Sequence, residues 1–161
     1  MRTLVKCIIM GMLAGSLTSL FTACSEEPDC SANARAMINC NLFTHNELTG
    51  ALQRDTLDSL TITAFSTDSI ILNRGEEVTA LILPLRYTAD STVLVFHYTG
   101  RTTDTVTLHH TNTPYFLSMD CGYQMQQALT GVSYSRHRLD SIHITNSEAG
   151  IYGTENLQLF Y

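Results

Sequence analysis

The stretch Thr92-Val93-Leu94-Val95-Phe96-His97-Tyr98-Thr99-Gly100-Arg101-Thr102-Thr103-Asp104-Thr105-Val106-Thr107-Leu108-His109-His110 decides the fold class. Two runs rich in β-branched and aromatic residues, Thr92 to Tyr98 and Thr103 to His110, flank a Thr-Gly-Arg-Thr turn, the signature of a β-hairpin. The same grain continues on both sides of it. Upstream, Ala36 to Phe43 alternates with Ile38, Cys40 and Leu42 on one face. Leu57 to Phe65 alternates again, and Ile70 to Leu72 ends at the turn signal Asn73-Arg74-Gly75. Val78 to Leu83 is almost wholly apolar, which predicts a central strand buried on both faces, and Pro84 ends it. Downstream, strands are expected at Tyr115 to Met119, at Tyr123 to Tyr134 with a bend or bulge at Thr130-Gly131, at Ser141 to Thr145 and at Asn156 to Tyr161. Strands spaced at about ten residues, with no sustained 3.6-residue period, predict an all-β chain. The expectation is an antiparallel β-sandwich, immunoglobulin-like or related, of about nine strands over residues 35–161, with no helix.

The N-terminus has a different grammar. Arg2 and Lys6 precede an apolar run from Cys7 to Phe21, and small residues lead to Cys24. A membrane span needs about 20 predominantly apolar residues and no processing flank, so residues 1–23 read as a cleaved signal peptide. Leu20-Phe21-Thr22-Ala23-Cys24 resembles the lipobox of bacterial lipoproteins, with Phe21 where Leu is usual. The resemblance implies that Cys24 becomes the lipidated first residue. Two or more acyl chains, at about 0.8 kcal/mol per buried CH₂, anchor a protein stably. Residues 24–34 then form an acidic tether, and Ser25-Glu26-Glu27-Pro28-Asp29 looks like the tag that sends lipoproteins of Bacteroidota to the outer face of the outer membrane.

Arg2 and Lys6 leave with the signal, so the mature chain carries 7 arginines, no lysine and 15 acidic residues, a formal charge of −8. This argues against a nucleic-acid binder, which needs a basic face, and removes lysine nucleophiles from consideration. The 138 mature residues suffice for one domain with a proper core.

The pieces Leu57-Asp58-Ser59-Leu60-Thr61, Leu83-Pro84-Leu85, Asp104-Thr105-Val106-Thr107, Cys121-Gly122-Tyr123, Leu139-Asp140-Ser141-Ile142 and Asn156-Leu157-Gln158-Leu159-Phe160-Tyr161 occur in this order. The mature chain thereby resembles an uncharacterised family of small Bacteroidota lipoproteins, classified only as a domain of unknown function. The resemblance implies a β-sandwich and an envelope location, and no activity. It also bears on Cys30, Cys40 and Cys121, the three cysteines left once Cys7 is discarded and Cys24 acylated, which permit one disulfide. Cys30 and Cys121 stand at plausible loop sites and Cys40 in mid-strand. The family likeness points to the same two loop positions, so Cys30 is expected to pair with Cys121 and Cys40 to stay reduced and buried.

The remaining residues offer little that reads as catalytic chemistry. His109 and His110 are adjacent and point to opposite faces of a strand, while His97 and His109 are expected to face each other across the hairpin. No Cys or carboxylate stands at ligand spacing, so no metal or cofactor is expected. There is no Gly-x-Ser-x-Gly, no facing carboxylate pair and no Gly-rich phosphate cradle. Most aromatics are expected in the core by their spacing. The reading is therefore a non-catalytic, lipid-anchored outer-membrane component, exposed at the cell surface, that binds or assembles with an envelope protein or glycan. The rivals are a glycan-binding module, which coplanar exposed tyrosines would favour, and a small hydrolase, which a pocket collecting His and carboxylates would favour.

One local pattern recurs: Asp, then Ser or Thr, then an apolar residue or Thr, at Asp55, Asp58, Asp68, Asp90, Asp104 and Asp140. Turn chemistry at the start of a strand explains it. The triplets also resemble the acceptor site of the general protein O-glycosylation system of Bacteroidota, which makes Thr56, Ser59, Ser69, Ser91, Thr105 and Ser141 candidate acceptors. Because a glycan must remain in solvent, Thr56 and Ser91 are expected to be most open and Ser59 and Ser141 shielded.

Overall fold

The computed structural model describes Cys30 and residues 35–46, 48–150 and 153–161, so the signal-like segment, Cys24 and all of the tether except Cys30 lie outside the described residues. Ten strands run through them: β1 (Met37–His45), β2 (Leu52–Arg54), β3 (Leu60–Ala64), β4 (Ile70–Gly75), β5 (Ala80–Pro84), β6 (Ser91–His97), β7 (Thr103–Ser118), β8 (Gly122–Tyr134), β9 (Ser141–Ile144) and β10 (Glu155–Phe160). The hairpin forms from β6 and β7, with Leu94 opposite Val106. Its turn needs left-handed backbone, supplied by Gly100 at φ 83° and then Arg101 at φ 67°.

The strands make a sandwich of two sheets. One has the order β4-β3-β6-β7-β8 and is antiparallel throughout. In the other, β1 pairs on one side with β10, which in turn pairs with β9; on its other side β5 and β2 lie end to end. The β1–β10 pair is parallel, joining Asn39 to Glu155 and Phe43 to Phe160. Period-two alternation places Ile38, Cys40 and Leu42 of β1 and Leu157 and Leu159 of β10 inside, together with Leu60 and Ile62 of β3, Leu94 and Phe96 of β6, and Val106 and Leu108 of β7. Each fully buried apolar side chain of this size contributes about 1.5–3 kcal/mol relative to exposure.

Several expectations are corrected. The apolar run at β5 is an edge strand with one buried face: Leu81 and Leu83 point inward, while Ile82 is 60% exposed. Pro84 does end that strand, as its last residue, paired with Met37. The strands expected at Thr103 to His110 and Tyr115 to Met119 are one, because β7 runs through Pro114 opposite Met125. Beyond His109, β7 has no β6 partner, and a proline fits where one edge of a strand is unpaired. The short β2, exposed along its length, carries no apolar alternation that would announce it in the sequence. The bulge at Thr130-Gly131 is present, where β8 passes from Gly131 opposite His109 to Leu129 opposite His110.

Candidate functional site

Loop 85–90 carries the chain from the end of β5 to the start of β6, so one end of the sandwich collects the start of β1, this loop, and the root of the β7–β8 ribbon. A buried polar network holds the loop there. Asn112 Nδ2 donates to the carbonyls of Arg86, Tyr87 and Ala89, and Gln127 Nε2 donates to Arg86 O and to Asn112 Oδ1 at 2.6 Å. Asn112 Oδ1 therefore accepts again from His110 Nδ1 at 3.1 Å, which assigns the proton to Nδ1. His110 Nε2 is left to accept from Thr92 Oγ1, which itself accepts from the Arg86 N–H. His110 is thus neutral. Burial pushes its pKa below the ordinary histidine value, against the opposing pull of the Asn112 hydrogen bond.

Beside this network lies a cleft of about 240 Å³, lined by Arg35 and Arg86 with Phe65, Ile71, Pro84 and Leu85 among its walls. The Arg35 guanidinium also stands over the Tyr87 ring at 4.6 Å. Two cations beside apolar walls suit a small anionic group carrying an apolar portion. The volume is below the roughly 300–1,000 Å³ typical of drug-sized ligand pockets. No histidine or carboxylate lines it. Among the described residues no three His, Cys, Asp or Glu side chains gather where they would hold a metal ion.

From the same end β7 and β8 continue past the rest of their sheet as a two-stranded ribbon, pairing from Thr113–Gln126 to Ser118–Gly122. Its outer part is apolar and open: Met119 is 89% exposed, Tyr123 75%, Phe116 52% and Tyr115 41%. Phe116 and Tyr123 meet edge to face, with ring centroids 5.5 Å apart and planes at 70°, so they do not form a flat platform for a sugar. Gly122, at φ 66°, makes the left-handed turn at the tip. There Cys121 is bonded to Cys30, with 5.5 Å between the Cα atoms. The pairing is the expected one, and Cys40 is free and buried, its thiol pushed up by burial and by the Glu155 carboxylate.

Of the candidate acceptor residues, Thr56, Ser59, Ser69 and Thr105 are exposed, whereas Ser91 and Ser141 are half-buried strand residues. Two expectations reverse: Ser91 is the first residue of β6, paired with His109, and Ser59 stands open at φ 57°. His97 and His109 do not face each other, since His97 pairs with Thr103 and His109 with Ser91 at opposite ends of the hairpin. Phe65, Tyr115, Phe116 and Tyr123 form an exposed subset of the aromatics.

Asp104 is the functional-looking residue that the sequence does not single out for this role. Its side chain is wholly buried at the opposite end of the sandwich. The carboxylate accepts from the backbone N–H groups of His137, Arg138 and Leu139 and from Ser135 Oγ, all between 2.8 and 2.9 Å, and from His137 Nδ1 at 3.2 Å. Burial alone would raise its pKa, but these donors outweigh it and pull the value down to about 2. Held ionised and fully occupied, it organises loop 135–139 and offers no free oxygen for acid–base chemistry.

Residues 59–161 match a family of unknown function, DUF6452. The chain belongs to this family. The matched span opens one residue before β3 and includes the ribbon, Asp104, the loop that Asp104 holds, and the terminal strand. Strands β1 and β2 and Cys30 precede it. No curated protein and no solved structure matches the chain.

Proposed function

We propose that this member of DUF6452 is a non-catalytic, lipid-anchored component of the outer membrane, displayed at the cell surface, which binds or assembles with other envelope components. The observation that carries the reading is the Cys30–Cys121 disulfide. Residues 1–23 have the form of a lipoprotein signal, and only five residues separate Cys24 from Cys30. Six residue steps span about 20 Å at full extension, so the disulfide fastens the ribbon tip to a short leash. A disulfide also fits a protein exported to an oxidising compartment. The cleft offers guanidinium groups and apolar walls, and the strongly shifted carboxylate of Asp104 is engaged in structure, both of which favour binding over turnover.

The test is metabolic labelling with palmitate in the native cell, followed by membrane fractionation and crosslinking. Label on the wild type and none on Cys24→Ala, with the wild type in the outer membrane and crosslinked to a reproducible envelope partner, is the expected result. Label retained by Cys24→Ala, or wild-type protein found in the soluble fraction, sinks the anchor.

A further inference from the structure

We infer that the tip of the β7–β8 ribbon is a second membrane contact, seated in the headgroup region of the bilayer that carries the lipid anchor. This rests on the lipid-anchored reading above. The first observation is chemical. Residues 111–128 contain one charged side chain, Asp120, in a mature chain of 7 arginines and 15 acidic residues. The same segment carries Tyr115, Phe116, Met119 and Tyr123, all exposed and all within its outer part. An exposed apolar patch of this kind marks a site covered by protein or lipid, and aromatic rings with a polar handle favour the interfacial zone of a bilayer.

The second observation is connectivity, and it selects lipid as the occupant. Cys121 lies between Met119 and Tyr123, and its Cα is 5.5 Å from that of Cys30. The chain from Cys30 back to Cys24 spans at most about 20 Å. With Cys24 acylated, the aromatic tip is thereby kept within about 25 Å of the anchored residue, closer than any surface of the far end is bound to come. The patch is presented to the bilayer by a covalent bond, whereas no comparable constraint brings a protein partner to it. Asp120, the one charge at the tip, is accommodated because headgroup-level insertion leaves a carboxylate within reach of water. Two contacts, lipid chains and ribbon, fix the tilt of the sandwich and turn the loop 135–139 end away from the membrane.

The chain has no tryptophan, so one introduced indole reports its own surroundings. Acylated Tyr123→Trp protein is placed in phosphatidylcholine vesicles whose acyl chains are either plain or brominated. Leu52→Trp, altered at the opposite end of the sandwich, is the reference. The expected result is blue-shifted emission from the Tyr123→Trp variant that falls at least twofold in the brominated vesicles, while emission from Leu52→Trp is unchanged. Equal emission from Tyr123→Trp in both vesicles, from protein that floats with them, overturns the ribbon contact and leaves the anchor intact. If equal emission is joined by protection of that indole from acrylamide in native envelopes alone, the patch is covered by a protein instead. If the protein carries no acyl chain, the anchor reading has failed. The ribbon is then decided by the Tyr123→Trp chain from Ser25 bearing an N-terminal His-tag, held on nickel-chelating lipid. Unquenched emission there overturns the ribbon contact, and quenched emission sustains it.

Discussion

Asp104 shows how one side chain can be spent wholly on architecture. Its carboxylate is ionised and saturated by donors from residues 135–139, so Asp104→Asn, which turns an NH₂ toward some of them, should cost about 2–4 kcal/mol in urea unfolding. Its folded pKa of about 2 lies below the unfolded value near 3.9, so its contribution is complete above pH 4 and is lost as pH falls through 2. His110 adds a second acid-side loss. With its folded pKa below the ordinary value near 6.5, the unfolded chain takes up the proton first, and stability declines as pH drops below 6.5 toward the folded pKa. In His110→Gln that part of the acid profile should flatten, and a slope that persisted unchanged would remove His110 as its source. Exposure also ranks the Asp-Ser/Thr triplets. Mass mapping of protein from its native envelope should find any hexose additions on Thr56, Ser59, Ser69 or Thr105 before Ser91 or Ser141; a polypeptide free of such additions leaves turn chemistry as their explanation. Local turn chemistry is visible at Asp55, which accepts from the Thr56 N–H; Asp58 instead accepts from the Glu77 N–H, Asp104 holds its loop and Asp140 pairs with Arg136. The triplet is legible as a pattern, but the roles of Asp58 and Asp104 are not, because they depend on residues distant in sequence.

Strands are the legible elements because burying one face imposes a period of two on the residues themselves. Their neighbours are not legible, and this explains where expectation and structure part. Val78 to Leu83 is apolar enough for a buried centre, yet β5 is an edge whose Ile82 faces solvent, and nothing local distinguishes these. Pro114 reads as a breaker unless one knows that β7 has outrun β6 there. The cleft and the polar network are invisible for the same reason, since they are assembled from the ends of separate strands. At this scale Gly75→Ala is a sharp test. A Cβ there would lie 2.6 Å from Val78 Cγ2 and 3.1 Å from Leu72 Cδ2, so the end of β4 must shift, and a loss of about 1–3 kcal/mol is expected in thermal or urea unfolding. Removing the disulfide by Cys30→Ser with Cys121→Ser releases a closure of 91 residues, which in the chain-entropy model costs about 4.6 kcal/mol. The ribbon amides from Thr113 to Gln126 should then exchange hydrogen faster, while those of β3 and β6 keep their rank order.

At the scale of the whole molecule, the parallel pairing of β1 with β10 has a consequence in time. Asn39 donates its N–H to Asn156 Oδ1 and Thr44 its hydroxyl to Tyr161 O, contacts that each close 117 residues of chain. Asn156, wholly buried, also donates to the carbonyls of Asn146 and Glu148, so the last strand fastens the segment before it as well as the first strand. While the chain is being synthesised, the sheet built on β1 has its β2 and β5 neighbours but neither β9 nor β10. It cannot close until the last strand, Glu155–Phe160, has left the ribosome, and pairings of such long separation form slowly even then. One half of the sandwich thus stays open for nearly the whole of synthesis, whereas the β4-β3-β6-β7-β8 sheet has all its strands once Tyr134 has emerged. Deletion of Glu155–Tyr161 should accordingly yield a chain that is made at the normal rate and degraded before it accumulates, as pulse-chase labelling would show.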